Sequence, residues 1–344
     1  MARLIVLIVL ALLPAAFVAA QEDFCVVELN AENLFDPIDN PAKNDDAFLP
    51  TAVRRWTWKK LMHKLNNVGK TVAACGGNAL PDVVALCEVE SDTVVQRLVD
   101  ASVLRRGGYS YFLGSGNDER GINVALLYRS VAFKPISHEC LRPDFRGLPK
   151  KRTRDVLHVA GRIVTGDTID IFVCHMPSRI DPYKEGRPYR ERVGVMLRHK
   201  SDSICRARRS ANVIITGDFN DGPQSSTFVR ALGATPFSGN EAPEEQRLYS
   251  TIGPESGTGK IRGTYYYQGF WELLDNVVVN GRMLSSRSGI YLPKGGCRIF
   301  CAPFLLVERE GEMVPWHTYD GMRYSGGFSD HLPIVARFKL NFFE

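Results

Sequence analysis

The chain lacks a strong excess of either charge: 43 Lys and Arg stand against 38 Asp and Glu, a net of +5. So small a surplus says little about nucleic acid by itself, and local clustering would matter more. No internal repeat, low-complexity tract or linker interrupts the 344 residues, which leaves one domain over residues 21–344 as the simplest organisation. The long apolar run is Leu4–Ala20, behind Arg3, broken at Pro14 and ending in Val18-Ala19-Ala20. That pattern reads as a secretory signal, residues 1–20, cleaved after Ala20. The rival reading is an uncleaved anchor, only slightly shorter than the roughly 20 residues a span needs. Cleavage predicts an exported chain, periplasmic or extracellular, with no stable membrane span. No cysteine follows directly at residue 21, which disfavours a lipid-anchored form.

Export permits disulfides among the 8 Cys. Cys25, Cys87 and Cys174 nevertheless fall inside apolar runs, where a free thiol packs as a small apolar side chain. Cys297 and Cys301, in a loop-like stretch, are the better candidates for a bridge. A hydrophobic content of 44% excludes disorder and supports a sizeable core. Helices are expected at Ala52–Cys75, Thr93–Leu104, Arg190–Arg208 and Ser225–Leu232. Strands are expected at 24–29, 82–87, 109–113, 122–128, 155–164, 169–174, 212–216, 263–270, 276–280 and 334–340. Thr235–Gly259 and Leu292–Pro303 read as long surface loops.

The informative pattern is what stands at the strand ends. Phe24–Leu29 runs into Asn30 and Glu32, Asp82–Cys87 into Glu88, Ile169–Cys174 into His175, and Asn212–Thr216 into Asp218 and Asn220. Asp275 and the pair Asp330-His331 instead precede their strands. These groups can converge only if the later strands run antiparallel to the earlier ones, which favours a mixed or antiparallel layered sheet with helices outside. Such a set suits attack by water on a phosphate ester, which needs a divalent cation, a base and a clamp on the phosphate oxygens.

Each residue also has a plainer reading. Asn30 and Glu32 can close an Asx-type turn, and Glu88 can be a solvated strand end. Asp218 and Asn220, two residues apart, can point the same way, one polarising a water and the other orienting it or the phosphate. Asp221 can simply cap the following helix. His331 can be an imidazole supported by nearby carboxylates, with Asp275 as the buried partner; His175 can protonate a leaving oxygen or clamp phosphate. Arg120 can reach a phosphate or stay on the surface. The arginines of Tyr189–Arg209 read as a solvated face.

Taken together, these segments resemble the endonuclease/exonuclease/phosphatase (DNase I-like) superfamily, from Phe24 to about Lys339. The matching elements are Asn30, Glu88, Gly217-Asp218-Phe219-Asn220 and Ser329-Asp330-His331, in that order. An exported bacterial branch is similar in Asn30-Ala31-Glu32-Asn33-Leu34-Phe35-Asp36, Arg120-Gly121-Ile122 and His175-Met176-Pro177-Ser178-Arg179. The resemblance implies an α/β fold, a four-layer α/β/β/α sandwich of two mixed, mainly antiparallel sheets. It implies phosphoester hydrolysis with Mg²⁺, or Mn²⁺ in its place. Metal ligands would come from Asn30, Glu32, Glu88 and Asp330, and catalytic groups from His175, Asp218, Asn220, Asp275 and His331. Arg120, Asn220 and His175 would contact substrate. The leading expectation is a nuclease acting on nucleic acid. The alternative is a phosphatase or phospholipase-like hydrolase of a small phosphate ester, and a third is a non-catalytic binding module.

Overall fold

Side chains alternate across a strand, so a run that is apolar on both faces must be covered twice. The run Asp23–Leu34 sends Phe24 and Val26 into one buried cluster and Val27 and Leu29 into another. In the computed structural model, which describes residues 23–149, 152–179, 186–239 and 242–342, that double coverage produces four layers. The expected signal segment 1–20 lies outside the described residues.

The principal strands in chain order are β1 (Asp23–Leu34), β2 (Val83–Val89), β3 (Tyr109–Leu113), β4 (Asn123–Arg129), β5 (Phe133–Leu141), β6 (Val156–Ile163), β7 (Thr168–His175), β8 (Asn212–Asp218), β9 (Asp275–Asn280) and β10 (Ile334–Leu340). The helices are α1 (Trp58–Gly76), α2 (Asp92–Ala101) and α3 (Arg187–Ala207). One sheet runs β10-β1-β2-β4-β3, with Ile290–Tyr291 and Cys297–Ile299 added to β10. The other runs β5-β6-β7-β8-β9 and continues into the short strands Leu248–Ser250 and Ala234–Pro236. Val83, Ala85, Val124 and Leu126 from the first sheet pack on Val159, Ile171, Ile214 and Val277 from the second. The outer face of the first sheet is covered by Leu61, Leu65 and Val68 of α1, and that of the second by Val193 and Leu197 of α3. The expected α/β/β/α sandwich is therefore the fold.

Strand direction positions the site. β1 and β2 are parallel, as are β7 and β8, whereas β10 runs antiparallel to β1 and β9 antiparallel to β8. The C-terminal ends of the first four and the N-terminal ends of the last two therefore share one edge of the sandwich.

Several expected boundaries shift for local reasons. The first helix begins at Trp58 rather than Ala52, because the Thr57 side chain accepts from the Lys60 amide as an N-cap and Trp56 is buried before it. The second breaks at Ser102, whose hydroxyl donates to Leu98 O at 2.6 Å and accepts from Leu104 N at 3.1 Å; Val103–Gly107 continues as a 3₁₀ turn. Ser225–Leu232 contributes only the π-type turn Thr227–Leu232. The expected strand 263–270 is a hairpin, Tyr265–Tyr267 against Phe270–Glu272, because Gln268 and Gly269 take φ of 47° and 88°. Leu292–Pro303 is not all loop, since Cys297–Ile299 joins β10. The strand β5 was not expected, because its exposed edge face carries no apolar alternation. All eight cysteines are free thiols, so the candidate bridge between Cys297 and Cys301 is absent. No described helix is long and apolar enough to cross a membrane.

One buried ion pair ties α1 to the C-terminal loops. Lys64, almost fully buried, donates to Glu32 Oε2 at 3.1 Å and to Phe328 O at 2.7 Å. The same carboxylate oxygen accepts from Thr318 N at 2.8 Å. Burial works against its charge, but Lys64 and the Thr318 hydrogen bonds hold the Glu32 carboxyl below its ordinary value. Glu32→Ala strands the ammonium, and we expect it to cost about 3–5 kcal/mol in urea unfolding at pH 7. A lowered folded-state pKa means this contribution is complete above the ordinary glutamate pKa and lost as pH falls through the folded value, so the deficit should shrink in acid.

Candidate active site

Backbone irregularities aim the polar groups. The β1–β2 register shifts between Asn30 and Leu34, and Glu32, Asn33 and Glu88 take left-handed φ of 51°, 53° and 61°. Glu88 Oε2 then accepts from Asn33 N at 2.7 Å. In β8, Gly217 has φ of 133°, and an added Cβ there would meet Cys174 O at 1.9 Å, so glycine is required where β7 and β8 close together. Asn220, also left-handed at 51°, donates its amide N–H to Asp218 Oδ1 at 2.7 Å and its Nδ2 to Met176 O at 3.0 Å. Strained conformations of this kind cost about 1–3 kcal/mol each and persist where the surroundings over-determine them.

Glu88, Arg120, His175, Asp218, Asn220, Asp330 and His331 line one cleft of about 800 Å³. Asn30 and Asp275 stand behind it. Asn30 Nδ2 donates to Asp218 Oδ2 at 3.1 Å, and His331 Nδ1 donates to Asp275 Oδ2 at 2.6 Å. With Nδ1 so committed, Nε2 is the atom His331 has left for a ligand. Arg120 Nη1 donates to Asn33 Oδ1 at 3.0 Å, and its Nη2 lies 3.9 Å from Glu88 Oε1. Glu32 neither lines the cleft nor hydrogen-bonds through its side chain to a residue that does; its carboxylate is turned to Lys64 and Thr318. Asp221 accepts from Thr227 Oγ1 and Arg190 Nε, which secures the turn after β8.

The strand-end pattern carried no sign of four further contributors. Arg154 is buried in the cleft wall, its Nε 3.3 Å from Asp118 Oδ2. Tyr265 tilts over His331 with ring centroids 4.8 Å apart and stacks on Tyr267 at 6.2 Å. The place of that hairpin beside His331 depends on the bridge between Tyr265 and His331. Glu28 lies beneath, fully buried, with neither carboxylate oxygen hydrogen-bonded. Burial, then Asp275, pushes its carboxyl well up, which favours the protonated acid.

The dry, crowded floor separates the two histidines. Burial and the nearby Arg154 and Arg120 depress His175 well below the ordinary imidazole value. Its Nε2 is 3.5 Å from Asp218 Oδ2 and 3.9 Å from Glu88 Oε1, too long for either carboxylate to fix a proton on the ring. Burial also opposes charge on His331, but Asp275 and Asp330 overcome it and hold that ring well above its ordinary value. Burial, with Asp275 next, raises Asp218 to about 7 despite the opposing pull of His331.

The donor chemistry fits a hard cation. Asp218, Asp275 and His331 present ligand atoms all within 4.8 Å of one another, and Asp275 Oδ1 is buried without a hydrogen-bond partner. The short Asp275–His331 hydrogen bond closes that trio from within, so the open carboxylates are those of Glu88 and Asp330. Burial, then Glu32 and Glu88 against the relief from His331, pushes Asp330 up to about 7. A divalent ion bound by carboxylate oxygens would relieve that crowding.

Comparison with known proteins agrees with this geometry. A profile of the Endonuclease/Exonuclease/phosphatase family matches residues 25–339, and the chain belongs to that family. Among solved structures, an endonuclease/exonuclease/phosphatase family protein from Bacteroides thetaiotaomicron is similar at 14% identity, with 93% of this chain and 95% of that one covered and a TM-score of 0.57. The human Nocturnin catalytic domain with bound sulfate is similar at 16% identity, covering 93% and 95%, with a TM-score of 0.55. D. rerio TDP2 complexed with a single-strand DNA product is similar at 17% identity, covering 92% and 99%, with a TM-score of 0.51. At these identities the likeness establishes the shared fold. No curated protein sequence matches.

The opposite shifts of the histidines are directly measurable. In metal-free buffer, side-chain ¹⁵N NMR should find His331 still an imidazolium at pH 7 and His175 neutral. Asp275→Asn should bring the His331 pKa down, because it removes the carboxylate that opposes burial.

Proposed function

We propose that the protein is a metal-dependent phosphodiesterase, and that its substrate is nucleic acid. The observation that carries this reading is the division of one cleft into an acidic floor, Glu88, Asp218 and Asp330, and a wall with Arg120, Arg154, Tyr265 and Tyr267. Glu88 and Asp330 would hold Mg²⁺ or Mn²⁺, which would supply Lewis-acid polarisation of a phosphoryl oxygen. Asn30, behind the floor, orients Asp218 through Nδ2, and its Oδ1, which accepts from Glu32 N, keeps a second lone pair for the same cation.

The remaining chemistry belongs to the side chains. Asp218, steadied by Asn30 and Asn220, takes a proton from the attacking water as the new P–O bond forms. Asn220 orients that water or a phosphate oxygen from the cleft wall. His331, fixed by Asp275, offers Nε2–H to the phosphate and gives its proton to the leaving oxygen as the ester P–O bond breaks. Neutral His175 donates a hydrogen bond to a phosphate oxygen, and Arg120 lends positive charge at the rim. The half-exposed ring of Tyr267 suits a base stacked against it.

The test is a panel of plasmid DNA, RNA, inositol phosphates and sphingomyelin at millimolar Mg²⁺, each with an EDTA control. Nucleic acid should be cleaved and EDTA should abolish turnover. Turnover of a small phosphate ester with nucleic acid left intact would make the phosphatase or phospholipase-like reading the correct one. Glu88→Ala and Asp218→Asn should each lower kcat by roughly 10³-fold or more with the fold retained by circular dichroism, since groups acting on the transition state need not hold the core together.

A further inference from the structure

Next to the cleft lies a second cavity of about 500 Å³ that the chemistry above does not use. The two share a wall at Arg152. Lys43, Arg142 and Arg152 bring three cations to this cavity and Asp155 the single carboxylate. Asp155 is already matched by Arg142, through Nη2–Oδ2 at 3.2 Å and Nε–Oδ1 at 3.3 Å. Lys43 Nζ donates only to the backbone oxygen of Asp118, at 3.0 Å, and Arg152 has no ion pair or hydrogen bond among the described residues. Two positive charges are therefore left without an acidic partner.

Phe145 supplies an apolar flank, braced edge-on by Tyr189 at 5.1 Å. Beyond Lys43 the surface turns acidic, with Asp36, Asp39 and Glu90 lining the next hollow, so the cationic track stops after one anion.

We infer that this cavity binds a second phosphate of the substrate, the one flanking the ester that is cleaved. Arg152 and Lys43 bind its oxygens, and Phe145 packs on the attached sugar or base. This extends the phosphodiesterase reading and rests on it only for which phosphate is scissile.

Two measurements separate the claims. Anisotropy of a fluorescent oligothymidylate in EDTA should show the Lys43→Gln/Arg152→Gln variant binding roughly tenfold more weakly, with a log–log salt slope shallower by about 0.7 because one phosphate fewer is neutralised. An unchanged affinity and slope would overturn the subsite. For hydrolysis, bis-p-nitrophenyl phosphate offers one phosphate and a 5′-phosphorylated dinucleotide offers a flanking one. The variant should raise KM for the dinucleotide by a factor several times larger than for the single-phosphate ester. Equal increases would place Arg152 on the scissile phosphate and refute the inference. If wild type cleaves neither compound while the variant still binds the oligothymidylate more weakly, the subsite stands and the hydrolase reading falls. Competition by a small sugar bisphosphate, abolished in the variant, supports the subsite and assigns its second phosphate to a small substrate rather than a polynucleotide.

Discussion

Carboxylates and imidazoles crowded into a poorly solvated end of a sheet sandwich are the constraint around which the rest of this structure is arranged. Asp218, Asp275, Asp330, Glu88 and the buried Glu28 repel one another where little water can screen them. The fold tolerates this in three ways. It favours the protonated form of Glu28, pairs Asp275 with the His331 ring, and leaves Glu88 and Asp330 open at the cleft, where a cation can complete them. A site of this kind is unstable by itself and depends on a scaffold that cannot relax away from it.

The scaffold supplies that rigidity through strand ends and tight backbone turns. The parallel pairs β1–β2 and β7–β8 bring their C-terminal ends together, and the antiparallel β9 and β10 return Asp275 and His331 to the same edge. The left-handed residues Asn33, Glu88 and Asn220 then swing amides and carboxylates out of the sheet plane. Because the inter-sheet core packs densely on both sides of these ends, sub-ångström drift of the acids would require moving whole strands. The Glu32–Lys64 pair performs the same service for the outer loops, anchoring the segment that carries Thr318 and Phe328 just before Asp330.

Much of the site was legible in the sequence because its residues sit at the ends of apolar runs, where a polar group has no role in the core. Asn30, Glu88, His175, Asp218, Asn220 and His331 were all visible in that way, as was the reversal of the later strands. Glu32 shows the limit of such patterns. It shares a motif with Asn30, but a left-handed backbone turns its carboxylate to a lysine 32 positions away on α1. Arg154 and the Tyr265–Tyr267 hairpin were missed for the opposite reason. They are brought to the cleft by long-range register, Gly116 against Arg154 and Tyr265 against His331, which no local pattern records. β5 was hidden because a solvated edge strand has no apolar alternation to find.

The sequence alone determined the layered α/β architecture, the reversal of the later strands and the chemical inventory of the edge, because hydrophobic periodicity and turn chemistry are local properties of the chain. Tertiary structure decided which carboxylates are free and which are spent, which histidine is charged, and that a cationic hollow opens beside the cleft. Those outcomes depend on burial and on partners tens to hundreds of residues distant, and electrostatic character in a dry interior is a property of the assembled neighbourhood rather than of any residue in it.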